Sequence, residues 1–526
     1  MTRPSADAYR VADQIVADHS ELTYDAPGGP ITDSHLAERL AREVLAGHYC
    51  WAKGLGWMAW RGDRWCVAAD QEVREVARDW LVLQYEQLRS ESGHKESEGQ
   101  GRDWLRQLSH YHVKAVVLLA EGIMLSDASD FDAHPDLLNC ANGVVDLRTG
   151  RLAEHDPSLK LTKNTETRYV PGAVHPDWDQ ALTALPEEVR PWYQVRIGQG
   201  ATGHMPPDDM ILINQGGGEN GKTTILQGIR HALGDYYAQV PVKALYGDPG
   251  QHDTVLMPFR GARIAAIEET PEEGYLNMQR VKLLTSPEIT GRLMRQDNVT
   301  FKTTHALIVN TNHEPIVENA DHGTWRRLPM VKFPYTYLKP GQERKLAAHR
   351  EGDPGLRDRI IAGEQGQREA VLAWLVAGAR EWYEAGRVMP ELPERVAVDT
   401  DSWRGRANRV YGFASEYLEP SAEHHIIADE LYQFFAAWIK AAGNKSMAKE
   451  TFFRRLKDHA SQAGWDIEKK YTRHRPDRLS RPPQDLAALE GVVPSPKTSY
   501  QAWHGLRFKS ETAWQEELGG DVRGPV

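Results

Sequence analysis

The stretch from Met210 to Thr224 reads M-I-L-I-N-Q-G-G-G-E-N-G-K-T-T, and its order of residue types decides what the middle of the chain builds. Gly216, Gly221, Lys222 and Thr223 fit the spacing G-x-x-x-x-G-K-[ST]. The apolar run Ile211, Leu212, Ile213 suits a buried parallel strand, and Ile225, Leu226 and Ile229 recur at helical spacing as far as Gly234. A glycine-rich loop between a strand and a helix can hold phosphate. Glycines let successive backbone N–H groups wrap the oxygens, and the helix N-terminus adds the positive end of its dipole. The residues expected to line this loop are Gly216, Gly217, Gly218, Glu219, Asn220, Gly221, Lys222, Thr223 and Thr224. Lys222 would reach the β- and γ-phosphates of ATP, and Thr223 would ligate Mg²⁺. The plain alternative is a glycine-rich turn beside a helix.

Downstream, G-A-R-I-A-A-I-E-E-T predicts a second strand, Ile264 to Ile267, ending in Glu268 and Glu269. Cleaving a phosphoanhydride needs one acid to hold Mg²⁺ and one to orient or deprotonate the attacking water; Glu268 is expected in the first role and Glu269 in the second. A third strand, Ala306 to Val309, ends in Asn312, whose side chain can bond both the γ-phosphate and the lytic water. D-H-G-T-W-R-R-L-P then carries Arg326 and Arg327, adjacent guanidiniums of the kind that neutralise transition-state charge across an interface.

With 526 residues the chain exceeds one core, and a net charge of -11 means that contact with nucleic acid must come from a local basic patch or a lined channel. Three cysteines, Cys50, Cys66 and Cys140, are too few and too scattered for a disulfide framework or a four-ligand zinc site, so a reducing, cytoplasmic setting is expected. The N-terminus is polar, and the longest apolar stretch, Val113 to Leu125, is broken by Lys114 and Glu121. Neither a signal peptide nor a membrane span is expected.

Upstream of the loop, G-W-M-A-W-R-G-D-R-W predicts a hairpin with Gly62-Asp63 between Trp60 and Trp65. Its aromatics are either core and cross-strand pairs or platforms for bases. Arg89 to Arg102 reads as an exposed loop. S-D-A-S-D-F-D places Asp130 and Asp132 two apart, as a metal-binding carboxylate pair would be, or as a solvated acidic turn. Asn142-Gly143 and Thr149-Gly150 then punctuate a small β-meander. Trp178 to His204 is mainly helical, with Pro186 and Pro191 expected to divide it.

Taken together, G-G-G-E-N-G-K-T-T, I-A-A-I-E-E-T, V-K-L-L-T-S-P-E-I-T-G-R, I-V-N-T-N-H-E-P and T-W-R-R-L-P resemble, in order and compact spacing, a superfamily 3 helicase of the AAA+ class. The branch is similar to the poxvirus and phage/plasmid primase-helicases, and F-D-A-H-P-D-L-L-N-C-A-N-G-V-V-D-L-R-T-G-R-L resembles the domain preceding the motor there. One departure is that Ser286, Pro287 and Glu288 follow K-L-L-T, where the family usually has two glycines and an Asp.

The resemblance implies an α/β fold: an N-terminal α+β region (1–100), a pre-motor domain (101–177), a helical collar (178–205), an AAA+ P-loop ATPase core (206–340), a helical extension (341–400) and a mostly helical, winged-helix-like C-terminal domain (401–526). It implies an ATP- and Mg²⁺-dependent hexamer, a homo-oligomer encircling single-stranded or forked DNA and working with a primase or other replication proteins of a phage, plasmid or other mobile element. Each subunit would project a hairpin, here Thr290 to Thr304 turning at Asp297-Asn298, with Arg295 first and Arg292, Lys302 and Lys282 beside it as DNA contacts. Arg327, then Arg326, would act on the neighbour's ATP.

In the C-terminal part, short helices followed by a strand pair suit a winged helix with Lys449, Arg454, Arg455 and Lys457 facing DNA, or else a helical docking domain. Lys469 to Arg481 reads alternatively as a basic loop. Two rival functions stay open: an ATP-switched DNA-binding or loading factor without processive unwinding, and a primase-helicase using Asp130 and Asp132.

Overall fold

A computed structural model describes residues 32–91, 104–246, 253–271, 276–292, 298–317, 322–441, 447–473 and 499–509. They fall into two compact units, one reaching Asp146 and including Arg151–Arg168, the other comprising Leu147–Gly150 and the chain from Tyr169 on.

In the first unit, helix Asp33–Leu40 is capped by the Thr32 hydroxyl, which accepts from the His35 N–H. Strands β1 (Tyr49–Ala52), β2 (Gly56–Trp60) and β3 (Trp65–Val67) precede helices Asp70–Glu91 and His110–Ile123 and strand β4 (Leu125–Ser126), giving the sheet order β3-β2-β1-β4. Trp60 faces Trp65 across the hairpin with ring centroids 5.9 Å apart, and Trp57 and Trp65 are buried. These rings are core and cross-strand pairs, so the base-platform alternative does not hold for them. Strands β5 (Leu137–Cys140), β6 (Gly143–Asp146) and β7 (Arg151–Ala153) form the expected antiparallel meander.

The second unit opens with helices Pro176–Leu182 and Arg190–Gly200. Pro186 lies between them, but Pro191 does not divide anything: it sits in the first turn of the second helix, where a missing N–H costs nothing. Strands β8 (Leu212–Gln215), β9 (Tyr237–Gln239) and β10 (Ile264–Ile267) follow, then a hairpin of β11 (Glu288–Arg292) and β12 (Asn298–Lys302), then β13 (Ala306–Thr311) and β14 (Met330–Lys332). The central sheet has the order β14-β8-β13-β10-β9 with every neighbouring pair parallel. β10 is wholly apolar and β8 and β13 begin apolar, and all three are almost entirely buried, as strands covered on both faces must be. Strands β15 (Thr336–Leu338) and β16 (His349–Glu351) pair beside it.

Helix Gln367–Glu384 packs on Arg190–Gly200 so closely that a Cβ at Gly378 would lie 2.3 Å from the Gln194 carbonyl oxygen. Helix Glu394–Ala407 runs through residue 400 without interruption. Beyond it, helices Arg409–Tyr417, Ala428–Ala441 and Lys449–Gln462 enclose Phe413, Phe435, Phe452 and Leu456 against a sheet of β17 (Leu418–Ile427), β18 (Glu468–Thr472) and β19 (Tyr500–Phe508). Among the described residues the sheet has three strands, not the expected pair. β17 was hidden because Pro420 and an irregular register between Ser421 and His425 interrupt its alternation. Lys469 to Thr472 lie in β18, which corrects the loop reading for those residues; 474–481 lie outside the described residues.

Candidate nucleotide-binding site

Parallel strands with covered faces leave their carboxyl edge as the natural ligand crevice, at the point where successive connections leave in opposite directions. In this sheet that point falls between β8, whose connection runs to β9 at the far edge, and β13, whose connection returns over β8 to β14. Gly216 to Gly221 follow β8 directly, Asn312 follows β13, and Glu268 follows β10.

The loop needs its glycines for different reasons. A Cβ at Gly216 would stand 2.2 Å from the Asn220 amide nitrogen and 2.8 Å from the Phe333 carbonyl oxygen. Gly221 has φ +86° and would drive a Cβ to 2.7 Å from that of Ala184. Gly217 and Gly218 face open space, and Glu219 takes a left-handed conformation with φ 59°. Helix Lys222–Leu233 starts immediately after, with Thr223 exposed and Thr224 half-buried in its first turn.

The ammonium of Lys222 donates to the carbonyl oxygens of Gly216 (2.5 Å) and Gly217 (3.3 Å), and to Oδ1 of Asn220 (3.1 Å) and of Asn312 (3.3 Å). Lys222 is 4% exposed, and burial pulls its pKa down to about 8. All four acceptors are neutral. The Asn220 amide nitrogen is buried without a partner. A polyanion would supply charge to the one and an acceptor to the other, so these residues fit a nucleotide phosphate.

Glu268 is half-buried, and burial raises its carboxyl pKa above the usual range; Arg230 opposes the shift and Glu269 adds to it. Glu269 is exposed with φ 59°. Thr270 donates to the Thr311 hydroxyl at 2.7 Å, tying the two strand ends together. Among the described residues no cluster of three or more His, Cys, Asp or Glu could hold a metal. A magnesium ion bound chiefly through a substrate's own phosphates would need no such cluster, and Thr223 and Glu268 are the residues that would hold it.

Arg326 and Arg327 lie elsewhere. The Arg327 carbonyl accepts from the Ile211 N–H at 2.7 Å, before β8 begins, which puts it about 16 Å along the strand from Gly216. Arg327 pairs with Asp209 at 3.2 Å and its side chain is 18% exposed, whereas Arg326 is 3.8 Å from the same carboxylate and 56% exposed. Neither is brought to Lys222 of its own chain.

The hairpin carries Arg292 and Lys302 on its exposed face, along with Thr290 and Thr300, while Ile289 is buried on the other. Lys302 stands opposite Glu288, and Lys282 is exposed on helix Met278–Leu284. Arg295 and Asp297 lie outside the described residues. Of the C-terminal candidates, Arg454 and Lys457 are exposed and Arg455 half-buried on helix Lys449–Gln462, while Lys449 is ion-paired to Asp429.

Asp130 and Asp132 are both engaged by side chains and backbone of the chain itself. Asp130 binds Lys160 at 2.7 Å, and Asp132 accepts from the Thr162 N–H at 2.8 Å and from its hydroxyl at 2.5 Å. Sequence reading passed over the polar floor of the site: Asn214 donates to Tyr193 Oη (3.1 Å) and to Asn310 Oδ1 (3.0 Å), all three buried. The signal was a buried asparagine directly after the apolar start of each of two strands. It also passed over Tyr337, whose N–H donates to the Glu219 carbonyl at 2.8 Å.

The profile described as "D5 N terminal like" matches residues 37–185, and "Poxvirus D5 protein-like" matches residues 406–482. African swine fever virus protein C962R, provisionally named a primase, is 24% identical over 326 residues, covering 59% of this chain and 34% of that protein. Protein L207/L206 of Acanthamoeba polyphaga mimivirus, provisionally named a helicase, is 20% identical over 420 residues, covering 73% of this chain and 43% of that protein. Thus the chain spans 34% and 43% of the length of these two relatives. Among solved structures, the NrS-1 C-terminal region is 10% identical with a TM-score of 0.42, covering 87% of this chain and 95% of that one. Among the described residues no helix is long and apolar enough to cross a membrane. The chain is therefore similar over residues 37–185 to the D5 N-terminal profile and over residues 406–482 to the poxvirus D5 profile, and is similar to viral proteins that bear the names primase and helicase.

Proposed function

We propose that this protein is an ATP-dependent DNA helicase of the superfamily 3 AAA+ type, working as a ring of like subunits, with six as the expected number. The observation that carries the reading is the desolvated ammonium of Lys222, held within Gly216–Gly221 at the sheet's switch point and in contact with Asn312. The names of the viral relatives support the replication role.

In this reading Lys222 and the loop N–H groups bind the β- and γ-phosphates, and Asn312 orients the γ-phosphate end. Thr223 and Glu268 would hold magnesium, which would supply neutralisation of phosphate charge. Glu269 positions the attacking water and accepts its proton. Arg326 or Arg327 completes the neighbouring subunit's site, since neither reaches its own. Exposure favours Arg326, and Arg327 would first have to leave Asp209. The Arg292 and Lys302 face of the hairpin grips the strand. The engaged carboxylates of Asp130 and Asp132 give no support to priming by that pair.

Strand displacement on a forked DNA duplex tests the reading. Wild type unwinds with ATP and Mg²⁺, and Lys222→Ala abolishes both hydrolysis and unwinding. An oligomeric protein that hydrolyses ATP and changes its DNA affinity with nucleotide, yet never separates strands, would instead be a loading factor.

A further inference from the structure

The loop that carries Asn312 is gripped from outside the sheet. Two residues on, Glu314 forms a bidentate pair with Arg406, at 2.7 Å to Nε and 2.5 Å to the terminal nitrogen, and Ser402 accepts from the same guanidinium at 2.6 Å. Pro315 offers its carbonyl to the Trp403 indole N–H at 3.0 Å. Trp403 also meets Trp325 edge-on, ring centroids 4.9 Å apart, immediately before Arg326. All three gripping residues belong to helix Glu394–Ala407, whose other turns reach β14: Thr400 accepts from the Met330 N–H at 2.9 Å, and Asp399 pairs with Lys332 at 3.3 Å. One helix therefore touches the loop after Asn312, the segment leading into Arg326, and the edge strand.

That helix ends at Asn408, which caps helix Arg409–Tyr417 of the C-terminal domain by accepting from the Tyr411 N–H. With no linker between them, the two helices stay in step. Gly405 and Gly412 approach so closely that a Cβ at Gly412 would lie 2.4 Å from the Gly405 carbonyl oxygen, and Arg404 lies over the Tyr411 ring at 4.0 Å. A cavity of about 680 Å³, lined by Arg406, Arg409, Tyr411, Glu416 and Trp438, leaves room beside this joint.

We infer that helix Glu394–Ala407 is a strap through which the C-terminal domain and the nucleotide sensor act on each other, with Glu314, Arg406 and Trp403 as its positioning residues. This rests on the reading of Lys222 and Asn312 as a nucleotide site. A bidentate guanidinium–carboxylate pair fixes orientation as well as distance, so a tilt of the C-terminal domain moves Glu314 and with it Asn312. The strap touches no phosphate itself. Its effect falls on how nucleic acid bound at the C-terminal domain changes turnover, not on nucleotide affinity.

The test measures kcat and KM for ATP in the full chain, with and without a single-stranded oligo-dT, for wild type, Arg406→Gln, Glu314→Gln and the reversed pair Glu314→Arg with Arg406→Glu. Wild type is stimulated by the oligonucleotide. Each single variant keeps its KM and basal kcat but loses about fivefold or more of that stimulation, and the reversed pair regains it. Stimulation unchanged in both single variants overturns the strap and leaves the site intact, as does a wild type that hydrolyses ATP without responding to DNA. A wild type that binds no nucleotide overturns the site and the strap together. Should either variant melt early, hydrogen exchange of residues 311–317 in wild type decides: protection that changes on adding oligo-dT supports the strap, and unchanged protection overturns it.

Discussion

The Lys222 ammonium lies 3.3 Å from Oδ1 of Asn312, bridging the carboxyl ends of β8 and β13. The lysine therefore bonds directly to the asparagine proposed to sense the γ-phosphate. Replacing Asn312 with Ala is expected to lower kcat about 10²-fold or more while changing ADP affinity little, because the contact matters where charge develops. Steady-state kinetics alongside ADP titration checks the split.

Burial holds the Lys222 pKa at about 8, against 10.5 for a free lysine. Bound phosphate favours the charged form, so nucleotide binding at pH 8 takes up about half a proton per site. Calorimetry in buffers of different ionisation enthalpy reads this directly, and affinity declines as pH rises above 8. For stability the sign is opposite to that of a salt-bridged lysine. The unfolded chain holds the proton up to pH 10.5, so the cost of the buried charge is fully present below pH 8 and is relieved as pH climbs from about 8 to 10.5.

Gly221 and Gly217 share a loop but not a constraint. Gly221→Ala meets both φ +86° and the Ala184 methyl, and should cost at least about 1–2 kcal/mol in urea unfolding. Gly217→Ala meets nothing within 4 Å and should leave the unfolding midpoint close to wild type.

If the arginines act on a neighbour, mixing inactive proteins restores activity. Arg326→Ala and Lys222→Ala are each expected to lose hydrolysis, by about 10³-fold or more for the arginine. An equimolar mixture recovers a measurable fraction, because some interfaces pair an intact loop with an intact finger. No recovery in mixed oligomers would place the finger elsewhere.

Arg292 and Lys302 share the exposed face of the hairpin. Replacing either with Ala should reduce the slope of log affinity against log salt for single-stranded DNA by about 0.7. Binding isotherms from low to moderate salt measure it.

Much of the central sheet was legible because a buried parallel strand must be nearly continuous in apolar residues: Ile264–Ile267 and the start of β13 stood out in that way. The phosphate loop was legible because its spacing is itself a geometric requirement. What escaped notice depends on contacts distant in sequence. Asp209 gives no sign of lying beside Arg327, 118 positions away, and Glu314 gives none of meeting Arg406, 92 positions away. The aspartates at 130 and 132 illustrate the reverse: a spacing that suits a metal is equally satisfied by Lys160 and Thr162.

With Arg326 and Arg327 at one end of β8 and the phosphate loop at the other, a subunit on the trans reading owns two half-sites and no whole one. An open chain of n subunits would then hold n − 1 working centres, and closure adds the last. Each defective copy that lacks both halves would silence two seams, so poisoning by such copies would rise more steeply than their share of the population.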